Sequence, residues 1–268
     1  MKCLEERNKK INRLKKIMVY TLLVTTLVGQ APKLEAKQNF VVCIDPGHQA
    51  KGDPKGEPIA PGSSSKKARV ASGTAGVGTK KPEYAVNMEA GLILKELLTQ
   101  KGYQVIMTRE SNEVNVSNVE RAEIANKAKA DMTIRLHCDS IGNSGKTGSV
   151  LIVPAKTGKY TAGIYPASYK YAECLKKALQ DSGVKVNGIF ERSDMTGFNW
   201  SRVPVVIFEM GFMSNWNEDK MLCDKGYQTK LMQAVVTAIE AYNQSLPDQE
   251  APAQNQETPT LGQVESNQ

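Results

Sequence analysis

Apolar runs that stop abruptly at turn residues alternate along this chain with stretches of helical period, and that alternation most constrains its fold. The first run is Val41–Ile44, followed by Asp45-Pro46-Gly47, which cannot continue a strand, and then by His48. Runs over 103–107, 131–137, 149–153, 184–189 and 203–209 repeat the pattern. Helices are predicted between them. One opens near Glu83, carries the stripe Val86, Ala90, Ile93, Leu94, Leu97 and Leu98, and ends at Lys101-Gly102, with Thr79 placed to cap it and Pro82 in its first turn. A second follows the capping-box pattern Ser117-Asn-Val-Glu120 through Ala130; others cover 165–181 and about 218–242. The expected class is α/β: a single domain with a mixed, mostly parallel β-sheet flanked by helices.

The two ends of the chain read differently from its centre. Residues 1–16 carry seven Lys or Arg against two Glu, an uncharged apolar run spans 17–29, and small residues follow to Ala36. This is the pattern of a secretory signal peptide over 1–36, with a signal anchor as the alternative; the run falls short of the roughly 20 apolar residues of a membrane span. Cleavage is expected near Ala31 or Ala36. The last segment, 246–268, is rich in Pro, Gln and Glu and holds no Lys or Arg, so it reads as a disordered acidic tail. Residues 37–245 are then the folded domain. Losing 1–36 lowers the formal net charge from +7 to +2. That excess suits an anionic polymer, a cell wall or a nucleic acid alike, but no nucleic-acid motif accompanies it.

Cys43, Cys138, Cys174 and Cys223 remain after cleavage, without metal-type spacing; they read as small core residues, their pairing open. The only histidines are His48 and His137, each at the C-terminal end of a predicted strand. In open α/β sheets ligands sit beyond those ends. Glu83 lies three residues before Val86, on the inward side of a first helical turn, where it reads alternatively as a solvated carboxylate favoured by the helix dipole. Glu209 shares a strand face with Val205 and Ile207, so it ends buried. Should these ends converge, two imidazoles and a carboxylate make a three-ligand zinc site, with Glu209 left as general base and acid. Residues 49–82, rich in Gly, Pro, Ser and Lys, follow His48 directly and read as a long structureless loop walling the site, or as a surface insertion.

The ordered set Asp45-Pro-Gly-His48, Pro82-Glu83, Arg109, Arg121-Ala-x-Ile-Ala-Asn126, Ala130-Asp131, Arg135-Leu-His137 and 203–215 resembles the zinc-dependent N-acetylmuramoyl-L-alanine amidases of the amidase_3 type, cell wall hydrolases, over residues 40 to about 243. The resemblance implies Zn2+ held by His48, Glu83 and His137, with Glu209 as the catalytic carboxylate. It further implies hydrolysis of the amide between N-acetylmuramic acid and the L-alanine of the peptidoglycan stem by a zinc-activated water. The protein would be secreted or cell wall-associated, with peptidoglycan as its partner, a regulatory protein as a second one, no nucleic acid, and no membrane once the signal is removed. The chain departs from the family pattern in the length of 49–82 and in Cys138-Asp139, where the family often has Ala-Asn. Within 190–201, Arg192, an asparagine and an aromatic are expected at the glycan cleft. Two alternatives stand beside this reading. One is a zinc carboxypeptidase-like peptidase, in which Arg135 or Arg192 would hold a terminal carboxylate. The other is a catalytically silent wall-binding regulator.

Overall fold

The computed structural model describes residues 40–247; the signal peptide expected at 1–36 and the tail beyond residue 247 lie outside them. Among the described residues there are eight strands, β1 (Val41–Pro46), β2 (Asp53–Pro58), β3 (Lys66–Val70), β4 (Gln104–Met107), β5 (Met132–Asp139), β6 (Ser149–Pro154), β7 (Val186–Arg192) and β8 (Val205–Phe212). The helices are α1 (Glu83–Gln100), α2 (Asn118–Lys127), α3 (Tyr165–Asp181), α4 (Thr196–Asn199), α5 (Trp216–Leu222) and α6 (Lys225–Gln244). Six strands form one sheet in the order β4-β1-β5-β8-β6-β7, and every neighbouring pair is parallel except β6 with β8. The sheet is mixed and mostly parallel, with helices on both faces, as the alternation predicts. No helix among the described residues is long and apolar enough to cross a membrane.

Both faces of the central strands are covered, which is why they read as unbroken apolar runs. One face carries Val42, Ile44, Met132, Ile134, Leu136 and Phe208 into a core with α1, α3 and α6. From α1 come Val86, Ala90, Leu94 and Leu98, four residues apart and fully buried, while Ile93 and Leu97 sit at the margin. Burying each of the Val and Leu side chains contributes about 1.5–3 kcal/mol. On the other face Cys43 meets Ala125 of α2, and Val205 and Ile207 meet Phe198 of α4. The capping box at Ser117 forms as its pattern predicts.

Three local expectations are corrected. Residues 49–82 are not structureless: β2 and β3 pair as an antiparallel hairpin, and Ala75 bridges Pro82. The hairpin has no apolar alternation; its tip is held by Trp200 Nε1 donating to Pro58 O (3.0 Å) and Asn199 Nδ2 to Ile59 O (3.1 Å). Thr79 does not cap α1. Pro82 occupies that position without a side-chain bond, and the Thr79 hydroxyl donates instead to Asp219 Oδ1 at 2.6 Å. The last helix is two, because Asp224 caps α6 through Tyr227 N at 2.8 Å and so restarts the backbone after Cys223. All four described cysteines are free.

What fixes the site end of the sheet is a buried charge. Asp45, 1% exposed, closes β1 beside Arg135 of β5. Its Oδ1 accepts from Arg121 Nη1 at 2.7 Å and from the Thr108 hydroxyl at 2.6 Å, and its Oδ2 accepts from Arg135 Nε at 2.7 Å. Two guanidiniums serve the carbonyls at the end of β1 and in the turn that follows it. Arg109 donates to Pro46 O and Gly47 O, and Arg121 donates to Pro46 O and His48 O. Burial works against an ionised Asp45, but the charges of Arg121 and Arg135 and the Thr108 hydroxyl overcome it and hold its carboxyl well below the usual range.

A depressed pKa stabilises the fold fully above the ordinary aspartate value of about 3.9, and that stability is lost as pH falls below it. Asp45→Asn is therefore expected to cost about 3–5 kcal/mol at neutral pH, as when one partner of a buried pair is removed. It should also flatten the acid limb of a stability-versus-pH curve measured by urea unfolding. An unchanged acid limb would assign the acid sensitivity to other groups.

Candidate metal centre

Strands β1, β5 and β8 run parallel, so their carboxyl ends meet at one edge of the sheet, where α1 also begins. His48 follows β1, His137 lies in β5, and Glu209 is its register partner in β8. Glu83 is the first residue of α1 and only 3% exposed, so it is an inward carboxylate and not a solvated one. One ligand atom each from His48, Glu83 and His137 lies within 4.8 Å of the others. All four residues named from the sequence thus share one end of the fold.

Each donor is oriented by neighbours. His48 has φ 59°, in the left-handed region that costs a non-glycine residue roughly 1–2 kcal/mol. Arg121 on its carbonyl helps to hold it there, and its Nδ1 lies 2.8 Å from Ala71 O. A carbonyl only accepts, so Nδ1 carries a proton, while Nε2 faces Glu83 Oε1 at 3.2 Å. Burial lowers the ring's pKa, but the hydrogen bond and charge of Glu83 outweigh it and raise it, so a bound cation would take the place of the Nε2 proton. Glu83 Oε1 also lies 3.1 Å from His137 Nδ1 and accepts from Cys138 N at 3.1 Å, while its Oε2 accepts from Thr74 N at 3.0 Å. The two imidazole rings are edge-to-face with centroids 4.9 Å apart.

The electrostatics suit a cation. Burial opposes the Glu83 charge, yet hydrogen bonds to His137 and His48 keep it ionised, well below the usual carboxylate range. His137 is pushed down, first by burial, and so stays neutral as a ligand imidazole must. Its Nε2 is buried with no hydrogen-bond partner among the described residues. Burial of a lone polar nitrogen is costly unless a partner arrives. Two imidazoles and a carboxylate are a donor set that zinc takes, and the residues therefore fit the ion. Glu209 differs: burial first, then the charges of Glu83 and Asp139, push its pKa well above the usual value, and its buried Oε2 likewise has no partner.

Backbone approach completes the centre. A Cβ on Gly47 would lie 2.1 Å from His137 Cε1, and one on Gly73 (φ 76°) would lie 2.8 Å from Glu83 Oε2. The Gly73–Lys81 loop is anchored from beyond the sheet by fully buried Asp219 of α5. Its Oδ2 accepts from Gly78 N and Thr79 N, both at 2.7 Å. Sequence reading flagged this loop as glycine-rich but gave no role to Asp219, which looks like any helix-surface acid. Above the histidines opens a cleft of about 390 Å³, walled by Lys67 and Val70 of β3 on one side and Asp194–Gly197 on the other. Of the residues expected at a glycan cleft, Arg192 is exposed and paired with Asp194 at 2.7 Å, whereas Asn199 and Trp200 hold the hairpin instead.

Comparison with known proteins gives a consistent picture. The family model described as N-acetylmuramoyl-L-alanine amidase (Amidase_3) matches residues 42–241. An N-acetylmuramoyl-L-alanine amidase of Mycobacterium tuberculosis is 28% identical over 233 residues, 84% of this chain and 95% of that protein. The crystal structure of the apo form of the amidase Ami1 from Mycobacterium abscessus superposes with a TM-score of 0.69 at 29% identity, over 76% of this chain and 98% of that one. The CwlD amidase from Clostridioides difficile, solved in complex with the GerS lipoprotein, shares the fold with a TM-score of 0.53 at 22% identity, over 76% and 98% of the two chains.

Gly47→Ala changes no donor but forces the His137 ring aside. Zinc affinity, read by competition with a chromogenic chelator, is expected to fall about 10- to 100-fold, the range for a disturbed supporting shell. An unchanged affinity would mean that the ring has room to move.

Proposed function

The chain belongs to the N-acetylmuramoyl-L-alanine amidases of the Amidase_3 family, and we propose that it works outside the cytoplasm as a zinc-dependent hydrolase of the bond between N-acetylmuramic acid and the stem-peptide L-alanine. The observation that carries this reading is the convergence of His48, Glu83 and His137 to within 4.8 Å, with Glu209 on the adjoining strand. His48, Glu83 and His137 would hold the zinc ion, which when bound supplies Lewis acidity toward water and a carbonyl oxygen. Glu209 is the proton carrier: it accepts a proton from the attacking water and returns it to the leaving amine. Burial, then the charges of Glu83 and Asp139, raise its proton affinity, which strengthens it as the base that takes the water's proton. Asn87 steadies Glu83 by donating to Oε1 at 3.3 Å, and the Ala71 carbonyl fixes the His48 tautomer.

Residues 1–36 act as the export signal, 37–245 as the catalytic domain and 246–268 as a solvated tail. The expected partner is peptidoglycan. A regulatory protein is a second expectation, in keeping with the complex in which the Clostridioides amidase was solved. The peptidase alternative loses support at Arg192, which is paired with Asp194 at the surface.

The full chain, incubated with purified muropeptides, is expected to release intact stem peptides beginning with L-alanine, detected by mass, and a chelator should abolish the release. Loss of single C-terminal residues instead would identify a carboxypeptidase. Glu209→Gln should reduce turnover by about 10²–10⁴-fold with zinc still bound; loss of zinc from it would make Glu209 a ligand. Alanine at His48, Glu83 or His137 should release the metal, and any variant that keeps it removes that residue from the ligand set.

A further inference from the structure

The arginines around Asp45 differ in how their donors are used. A guanidinium carries five N–H donors. Arg109 makes hydrogen bonds to Pro46 O, Ser111 O, Asn112 Oδ1, Gly47 O and Tyr84 O. Arg121 is equally committed, to Val116 O, Asp45 Oδ1, Pro46 O, His48 O and Gln49 Oε1. Arg135 is not. Its Nε donates to Asp45 Oδ2 at 2.7 Å and its Nη2 to Asn118 Oδ1 at 3.1 Å, and among the described residues Nη1 has no partner. Gly197 lies against it without a side chain to answer it; a Cβ there would fall 2.1 Å from Nη1. Yet Arg135 is only 6% exposed, and it lines the same cleft as His48 and His137. Unlike the orphaned atoms of His137 and Glu209, Nη1 is not sealed from solvent, so it is a donor open to the cleft.

Charge points the same way. Arg121 and Arg135 share the single carboxylate of Asp45, and across the cleft Lys67 and Arg192 share Asp194. Each of these two carboxylates is thus shared by two cations, while Glu83 and Glu209 face the metal centre. A ligand anion would relieve this excess, and a guanidinium binds a carboxylate through paired donors in a way that a water or a sugar hydroxyl does not reproduce.

Resting on the amidase reading above, we propose that Arg135 is a specificity-determining residue that takes a free carboxylate of the stem peptide, on the residue following the L-alanine of the scissile amide. Reach supports this. Arg135 stands two positions before His137 on β5, roughly 7 Å along the strand, and an extended peptide covers about the same length from the scissile carbon to the second stem residue. The enzyme then favours stems whose second residue keeps its α-carboxylate over those in which that group is amidated.

Three synthetic N-acetylmuramoyl tripeptides test this with the zinc-loaded full chain: muramoyl-L-Ala-γ-D-Glu-L-Lys amide with the glutamate α-carboxylate free, the same peptide with that group as carboxamide, and the carboxamide form with a free C-terminal lysine carboxylate. The first is expected to be cleaved with a kcat/KM roughly 10- to 100-fold above the second, the range for a charge-assisted contact, chiefly through KM. Arg135→Gln should bring that ratio close to one, and Arg135→Lys, which keeps the charge on Asp45 but not the fork, should restore part of it. Circular dichroism and bound zinc report whether each variant is folded and loaded. Equal rates on the first two peptides in the wild type, or an undiminished ratio in Arg135→Gln, would overturn the inference while leaving the amidase reading intact. A preference for the third peptide over the second that matches the first would overturn it in favour of a terminal carboxylate. Cleavage of none of them would overturn the amidase reading and this inference together.

Discussion

An ionised carboxylate removed from water must be matched by cations and donors, and Asp45 is matched by groups drawn from three separate elements. The Thr108 hydroxyl ties it to the end of β4, Arg121 to α2 and Arg135 to β5. Because Arg109 and Arg121 also serve the carbonyls of the turn that follows, the same cluster determines the path of the backbone into His48. A histidine with positive φ is not held there by its own preference. It is held because the alternative would strand buried guanidinium donors and peptide carbonyls together.

Three carboxylates within this end of the fold are treated in three ways. Asp45 is neutralised by arginine and is structural. Glu83 is kept ionised by two imidazoles and by backbone N–H groups, which leaves it ready for a cation. Glu209 has neither, and its neighbours Glu83 and Asp139 repel a further negative charge. Environments that push like groups apart in proton affinity divide labour between them, a pattern expected of acid–base chemistry.

The sequence discloses most of the frame and the chemistry-bearing residues, because both follow from short-range patterns. The strand ends at His48 and His137 are visible where an apolar run meets a turn or a lone histidine, and Glu83 is betrayed by its spacing from Val86. The hairpin of β2 and β3 is hidden because Asp53-Pro-Lys-Gly-Glu-Pro58 has no alternation, and its stability comes from Trp200 and Asn199, about 140 residues away. The break between α5 and α6 is hidden for the opposite reason: helical periodicity continues across it, and only the Asp224 cap marks the restart. The close approach of Gly47 to His137 leaves no trace in a single sequence, since a glycine after Asp-Pro already has an explanation as a turn residue. Arg135 was legible as a cation near the site, but the inequality between it and Arg109 or Arg121 appears only when their hydrogen bonds are set side by side.

Asp219 carries a consequence for how the molecule comes into being. The three convergent donors all lie before residue 138, in the first part of the chain to be synthesised. The loop whose Thr74 N–H aligns Glu83, however, is fastened by a carboxylate 140 positions beyond Thr79. A nascent chain thus possesses every donor but not the clamp that sets the second of them. Maturation of the centre is tied to completion of the domain, and the chain acquires its hydrolytic geometry only once nearly all of it has emerged.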